Sequence, residues 1–208
     1  FGFSTADEVR RQFLLPLWNV YSFFVTYANI DEFDPKTETP VVSERTELDR
    51  WILSELNSLT KEVTRALESF EPENVTREIE QFTEYLSNWY IRRSRRRFWK
   101  SGLLSDSSKD SNHDKLSAYS TLYETLVTLT KLLAPIVPFV TESIYQNLVT
   151  SQALGKESVH LEEYPVTDRN IVERELSERT RLAMRLSSMG RSARSKAGIK
   201  VRQPLEHI

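Results

Sequence analysis

Apolar residues recur every three or four positions along most of this chain, which is the spacing of amphipathic helices. Thr5 and Glu8 have the spacing of a capping box and predict the start of a first helix. Pro16 predicts an interruption of that helix, because proline lacks the N–H that bonds back one turn. The apolar stripe of this helix comprises Val9, Phe13, Leu17, Val20, Phe24 and Tyr27.

A connecting loop is predicted for the Asp-, Pro- and Thr-rich residues 30–43, followed by two more helices. Thr46 is a good N-cap for the first of these, and Pro72 marks its end. The second is predicted for residues 74–100, and the polar residues 101–114 after it predict a mobile loop. The apolar face of the helix capped by Thr46 holds Leu48, Ile52, Leu56, Leu59, Val63, Leu67 and Phe70.

The second half of the chain continues the helical pattern with two breaks. The prolines of residues 134–139 break a fourth helix, and a short helix over about 138–149 follows. Residues 158–165 alternate in a way that allows a short strand or an extended segment, and a sixth helix is predicted over about 170–190. Residues 199–202 are strand-like. The stripe of the fourth helix is Leu116, Tyr119, Tyr123, Leu126, Leu129 and Leu133.

Long amphipathic helices with short connections predict an all-α fold, a helical bundle with one short extended segment. We expect the bundle to occupy residues 1–168, and residues 169–208 to hold a further helix and the start of a C-terminal junction segment. Both ends of the sequence look cut from a larger protein.

Composition removes several classes of function. The 208 residues include no cysteine, which excludes disulfides and thiolate metal sites, and the three histidines are too scattered for a zinc site. No apolar run has the length of a membrane span. There is no phosphate-binding loop of the Walker type, no GxSxG elbow and no HExxH motif. We therefore expect no active site, no metal and no cofactor in this chain.

The net charge of −2 conceals a strong segregation of charge. Residues 1–80 carry 16 acidic and 8 basic side chains, whereas residues 88–100 carry six basic side chains and no acidic one. Residues 179–202 carry eight basic side chains and no acidic one. Because positive charge is concentrated in these two segments, the near-neutral net charge of the chain does not argue against a nucleic-acid partner.

Residues 88–100, with the sequence NWYIRRSRRRFWK, interleave these cations with Trp89, Tyr90, Phe98 and Trp99. Cations neutralise phosphates, and flat rings and guanidinium planes stack on unpaired bases. The combination favours single-stranded RNA loops over duplex DNA. A solvated or salt-bridged arginine face with tryptophans in the core is the alternative. Residues 179–202 have few aromatics and suit phosphate contacts or, equally, a solvated helix face.

Helical spacing divides these cations into two groups. The stripe of Ile79, Phe82 and Leu86 continues to Arg93 and Arg97, which are therefore predicted to point inward and to form structural ion pairs. On the neighbouring exposed face lie the predicted RNA contacts Arg92, Arg96 and Lys100, beside Trp89 and Trp99. Arg95 is left undecided.

The chain resembles class I isoleucyl-tRNA synthetases in a series of motifs that covers essentially its whole length. FLLPLWNVYSFFVTYA resembles the helix that follows their catalytic domain, and the other motifs occur in the same order. KAGIKVRQPL and NWYIRRSRRRFW favour the isoleucine enzyme, in a branch found in eukaryotes and a subset of bacteria. The remaining motifs are LDRWILSELNSLTKEV, AYSTLYETLVTLTKLLAPIVPFVTESIYQNLV and SVHLEEYP.

The resemblance implies a helical domain that receives the anticodon stem-loop of isoleucine tRNA. Asn19 and Trp89 match positions that read or stack on the anticodon in related enzymes, whereas Trp18 is equally well explained as core. The family's HIGH-type and KMSKS-type catalytic motifs are absent, so ATP- and magnesium-dependent aminoacylation belongs to the parent enzyme. We expect a cytoplasmic monomer that binds neither DNA nor membrane. The homologous domain of a valyl- or leucyl-tRNA synthetase and a helical protein-interaction scaffold remain as alternatives.

Overall fold

A computed structural model describes residues 2–99 and 109–205 of the chain, with side chains for 2–99 and 112–205. These residues form helices, turns and irregular connections and contain no strand, so the prediction of an all-α bundle is confirmed. The α-helices are α1 (Phe3–Val9), α2 (Leu15–Ile30), α3 (Glu47–Glu68), α4 (Pro72–Glu84), α5 (Arg92–Trp99), α6 (Lys109–Leu133), α7 (Pro138–Leu148) and α8 (Arg174–Lys196).

The first helical stretch starts earlier than the capping box predicted. Gly2 is the N-cap of α1 and Thr5 lies inside the helix, so the predicted start is wrong. The interruption predicted at Pro16 is confirmed, as the π-helical turn Arg10–Leu14 directly before α2. A π-turn lengthens the hydrogen-bond spacing, which lets the helix continue past a proline that has no N–H to donate.

Helix α3 begins as the sequence predicted. The Thr46 Oγ1 accepts a hydrogen bond from the backbone N–H of Asp49 over 3.4 Å, and the predicted positions Ile52, Leu56 and Val63 are buried. Phe70 is a wrong assignment to the apolar face. It follows the end of α3 with a φ of +57° and is 91% exposed, because the chain reverses there before Pro72 opens α4.

Helices α4 and α5 are joined by the π-helical turn Tyr85–Ile91 and form one continuous helical stretch. A π-turn inserts one extra residue and moves every later side chain around the helix axis. The buried stripe of Ile79, Phe82 and Leu86 therefore continues through Tyr90 to Ser94 and Phe98. Arg93 does not lie on this inward side as predicted, whereas the predicted inward ion pair of Arg97 is confirmed.

Helix α6 begins before the predicted loop has ended. Residues 109–114 are already helical, whereas 100–108, the remainder of that predicted loop together with Lys100, lie outside the described residues. The helix ends before the predicted proline break, and α7 follows close to its predicted position. Tyr119, Leu126 and Leu133 of the predicted stripe are fully buried.

The predicted extended segment takes the form of the 3₁₀ turn Val159–Leu161 and irregular backbone, so the strand alternative is wrong. The segment is held to the bundle at Glu162, whose Oε2 accepts a hydrogen bond from the Lys131 ammonium over 2.8 Å. Tyr164 adds a hydrogen bond to the carbonyl of Leu132.

The chain divides into two compact units, Phe1–Val172 and Glu173–Ile208. The second unit contains α8, which runs past the predicted end at Gly190 and ends at Lys196, two residues before Gly198. Gly198 has a φ of +67°, a left-handed conformation that glycine adopts without strain at helix ends. Residues 199–202 form no strand and lie in irregular backbone and a turn.

Candidate nucleic-acid interface

Helix α5 is fixed to α3 by a bidentate ion pair between Arg97 and Asp49. The two terminal nitrogens of Arg97 each lie 2.7 Å from a carboxylate oxygen of Asp49, which is completely buried. Arg97 also donates to the carbonyl of Asp114 over 2.9 Å, which ties in α6. Burial lowers the pKa of Arg97, but the hydrogen bonds and charge of Asp49 outweigh it and hold that pKa above its ordinary value.

Both carboxylate oxygens of Asp49 accept hydrogen bonds from three side chains. Besides Arg97, the Tyr90 hydroxyl donates to its Oδ1 over 2.7 Å and the Thr46 hydroxyl to its Oδ2 over 2.7 Å. Burial and the neighbouring carboxylate raise the pKa of Tyr90 well above its ordinary value, so the phenol stays protonated and donates. A buried carboxylate with this many donors holds the inner side of α5 in one position.

The outer side of α5 carries exposed cations. Arg92, Arg95 and Arg96 are all exposed, and Arg92 and Arg96 lie one turn apart, as the sequence predicted for the RNA-facing edge. Guanidinium groups on an exposed helix face can bind phosphate oxygens bidentately. Lys100, the third member of this predicted edge, lies outside the described residues.

Arg93 corrects the sequence prediction. It was expected to point inward and form a structural ion pair. The inward orientation is wrong, because Arg93 is exposed with its Cζ 3.2 Å from the centroid of the Trp89 ring, and the ion pair stays a prediction. The extra residue of the π-turn Tyr85–Ile91 is the cause, because it gives the inward position to Ser94. Trp89 itself is half-buried.

Trp99 closes the same face at the end of α5. Its side chain is 58% exposed, and its indole N–H donates to the Tyr27 hydroxyl of α2 over 2.7 Å. Phe98, next to it, is buried with its ring centroid 5.1 Å from that of Phe23. Trp99 is therefore oriented by α2 while much of its ring surface remains accessible.

Helix α2 packs alongside the π-turn and α5 and carries Asn19. Asn19 is exposed and lies one turn before Phe23, whose ring packs against Phe98 of α5. Trp18 is 45% exposed, which does not support the alternative that it belongs to the core; its ring centroid lies 5.1 Å from that of Tyr21.

Two residues that position this face were missed in the sequence. In the sequence, Asp49 looks like a residue of the α3 cap. Its ion-pair partner Arg97 lies 48 positions away, and only the fold brings the two together. Tyr27 belongs to an apolar stripe, and nothing in the sequence pattern predicts that its hydroxyl accepts a hydrogen bond from Trp99. The Thr46–Asp49 cap spacing is a signal for a polar group at that helix end, but not for its ion-pair partner.

The second basic segment lies in the other unit. Arg179, Arg185, Arg191 and Lys196 of α8 are exposed, together with the apolar Leu186. Both interpretations of this segment, phosphate contact and solvated face, therefore stay open.

The described residues contain no cluster of His, Asp and Glu side chains that could hold a metal ion. Among the described helices none is long and apolar enough to cross a membrane. The arrangement offers cations for phosphates and flat groups for unpaired bases, which are the elements of an RNA-binding surface.

An all-α bundle that presents arginines and tryptophans on a braced helix defines a class of helical RNA-binding domains. The chain belongs to the family described as the anticodon-binding domain of tRNA ligase, which matches residues 49–208. It is 56% identical, over its whole length, to isoleucine–tRNA ligase of Dehalococcoides mccartyi (strain CBDB1), of which it covers 20%.

Other relatives carry the same name. The chain is 47% identical over 98% of its length to isoleucine–tRNA ligase of Clostridium acetobutylicum and 42% identical over its whole length to that of Bacillus thuringiensis (strain Al Hakam), covering 19% of each. The chain thus spans about a fifth of the length of these relatives. All three are bacterial, so the expectation of a eukaryotic-like branch is not supported.

Proposed function

We propose that this chain binds the anticodon stem-loop of isoleucine tRNA as one part of an isoleucine–tRNA ligase. The observation that carries the proposal is the exposed face of α5, where Arg92, Arg95 and Arg96 lie between Trp89 and Trp99. Phosphates of a stem-loop meet the cations, and unpaired loop bases meet the flat side chains.

Rigidity supports an RNA-reading role for this face. The Arg97–Asp49 pair and the Trp99–Tyr27 hydrogen bond fix α5 from its two sides. A helix held in this way presents its arginines at constant spacing, so less conformational entropy is lost when RNA binds. Asn19, on the adjacent α2, adds an amide that can hydrogen-bond a base edge.

The identity of the RNA rests on the relatives, which are isoleucine–tRNA ligases. Aminoacylation with ATP and magnesium is assigned to other parts of such an enzyme, and this chain supplies binding only. The setting we propose is the cytosol, where tRNA is charged, with the chain acting as a monomer. The names of these relatives favour this RNA over those of a valyl- or leucyl-tRNA synthetase.

Direct binding tests the proposal. The 208-residue chain is titrated with labelled hairpins that carry the anticodon stem and loop of isoleucine tRNA, of valine tRNA, or an unrelated loop. We expect the isoleucine hairpin to bind most tightly, with an affinity that falls steeply as salt is added. Equal affinity for all three hairpins contradicts the proposed function, and salt-independent binding contradicts the phosphate contacts.

A helical scaffold that binds protein is the second candidate. This alternative predicts that all the arginines of α5 form ion pairs within the chain, as Arg97 does with Asp49. The exposure of Arg92 and Arg96 argues against it, because an intramolecular role would bring these side chains against the bundle.

A further inference from the structure

Trp99 combines a large exposed surface with a fixed orientation. Its side chain is 58% exposed, and its indole N–H donates a hydrogen bond to the Tyr27 hydroxyl over 2.7 Å. An indole N–H can only donate, so the Tyr27 oxygen is the acceptor. The indole is therefore held by its polar edge, while more than half of its surface remains accessible.

Tyr27 is itself fixed by packing within the bundle. Its half-buried ring lies 4.8 Å, centroid to centroid, from that of Phe23 and 6.3 Å from that of Phe98. Phe98 is buried and makes an edge-to-face contact with Tyr119 of α6 at 4.8 Å. The hydroxyl that holds Trp99 thus belongs to a packed aromatic cluster of α2, α5 and α6, which limits its movement.

We propose that Tyr27 is a positioning residue for Trp99, and that it fixes the indole so that an unpaired base of the RNA loop stacks on the accessible ring surface. The proposal rests on the proposed function, since Trp99 belongs to the binding face described above. It adds to that face a residue of α2 that carries no charge and acts through the indole.

Preorganisation is the reason that this hydrogen bond strengthens RNA binding. A tryptophan that is free to change rotamer must be immobilised when a base stacks on it, and this ordering opposes binding. Tyr27 restricts the indole before RNA arrives, so less entropy is lost. Because the same hydrogen bond is exposed, water can replace either partner, and its contribution to the stability of the fold is small.

Removal of one hydroxyl tests the role of Tyr27. With the isoleucine hairpin, we expect Tyr27→Phe to weaken binding about threefold to tenfold, the range for ordering one side chain. The salt slope should stay at the wild-type value because no charge is lost. Tyr164→Phe is the matched control, since it also removes a tyrosine hydroxyl, one that donates to the Leu132 carbonyl. It should bind the hairpin like wild type.

Variants of Trp99 show whether Tyr27 acts through the indole. Trp99→Ala should weaken binding about tenfold, the size of one lost base stack. Trp99→Phe keeps a flat ring but has no N–H to donate. In the Trp99→Phe background, Tyr27→Phe should therefore cause no further loss of affinity.

The indole N–H resonances report the hydrogen bond directly in the free protein. The chain has four tryptophans, and the resonance of Trp99 is the one that disappears in Trp99→Phe. Tyr27→Phe should shift that resonance, whereas Tyr164→Phe should leave it in place. Melting temperatures should show that every variant is folded and that Tyr27→Phe melts close to wild type.

Several results overturn the inference while leaving the proposed function standing. If Tyr27→Phe binds like wild type, or does not shift the Trp99 resonance, the hydroxyl does not position the indole for binding. If Trp99→Ala binds like wild type, no base stacks on Trp99. If the losses of Tyr27→Phe and Trp99→Phe add, Tyr27 acts independently of Trp99. If wild type does not prefer the isoleucine hairpin, the proposed function itself fails, whatever the Tyr27 variant does to the indole resonance.

Discussion

Arg97 and Asp49 form a bidentate ion pair between α5 and α3, with both nitrogen–oxygen distances at 2.7 Å. The pair joins residues far apart in sequence and ties the basic helix to the middle of the bundle. Only 12% of the Arg97 side chain is exposed and none of the Asp49 side chain, so the pair is shielded from solvent. Its geometry is the one in which arginine and carboxylate interact most strongly.

Replacing Arg97 with alanine should lower the free energy of unfolding by about 3 kcal/mol, because Asp49 would keep a buried charge without its main partner. Urea denaturation measures the change. Arg96→Ala is the matched control on the next residue of the same helix and should stay within about 0.5 kcal/mol of wild type. Equal losses of stability in the two variants would contradict the division between an inner and an outer face of α5.

Replacing Arg92 or Arg96 with alanine should weaken binding of the isoleucine hairpin without changing the melting temperature. Each arginine that neutralises a phosphate contributes about 0.7 to 0.9 to the slope of log affinity against log salt, so each variant should flatten that slope by this amount. Titrations at several salt concentrations give the slope.

The exposed Lys61 of α3, twelve positions beyond Asp49, provides the control for that experiment. Lys61→Ala removes one positive charge from a different part of the bundle. It should leave both affinity and slope near wild type. A comparable effect from Lys61 would mean that general charge, and not the α5 face, governs binding.

The attachment of the Val159–Leu161 segment should depend on pH through Glu162. Hydrogen bonds from Lys131, Tyr145 and the Lys156 backbone lower the pKa of Glu162 from 4.5 to about 2. A lowered pKa in the folded state means that the stabilisation is complete above about pH 4.5 and is lost as the pH falls towards 2.

The stability difference between wild type and Glu162→Gln should therefore shrink steadily as denaturation is measured from pH 6 down to pH 3. Glu163→Gln is the neighbouring control, since the Glu163 side chain is 94% exposed. It should give a small, nearly constant difference. A Glu162→Gln difference that does not change with pH would show that the carboxylate charge is not what anchors the segment.

Gly155 should tolerate no side chain. Its φ is +60°, and a Cβ would lie 2.4 Å from the Tyr145 hydroxyl and 2.6 Å from the Glu162 Oε1, two groups that hydrogen-bond each other. Gly155→Ala should cost about 2 kcal/mol through backbone strain and displacement of that pair.

Gly190 offers the opposite case within α8, since a Cβ there meets nothing within 4 Å. Gly190→Ala should raise the helical stability by about 0.5 to 1 kcal/mol, because alanine loses less backbone entropy than glycine. Circular dichroism and thermal melting of Gly155→Ala and Gly190→Ala measure the predicted loss and the predicted gain of stability. Destabilisation by Gly190→Ala would indicate that the position is covered.

Local sequence determined most of the helices and the family of this chain. Thr46 caps α3 as predicted because an N-cap depends only on neighbouring backbone donors. The stripe of Tyr119, Leu126 and Leu133 predicts a buried helix face because an α-helix repeats every 3.6 residues. The exposed positions of Arg92 and Arg96 follow from the same period.

Tertiary structure decided the parts that a constant helical period cannot describe. The π-turn before α5 adds one residue, which turned Arg93 outward onto Trp89 and placed Ser94 inward. The partner of Arg97 was undetermined because Asp49 lies 48 positions away, and no local rule connects two helices. The sequence alone determined that this chain is a helical domain with a local basic and aromatic segment, and that it resembles the tRNA synthetase family. Packing between helices decided which arginine braces the fold and which lies over a tryptophan ring.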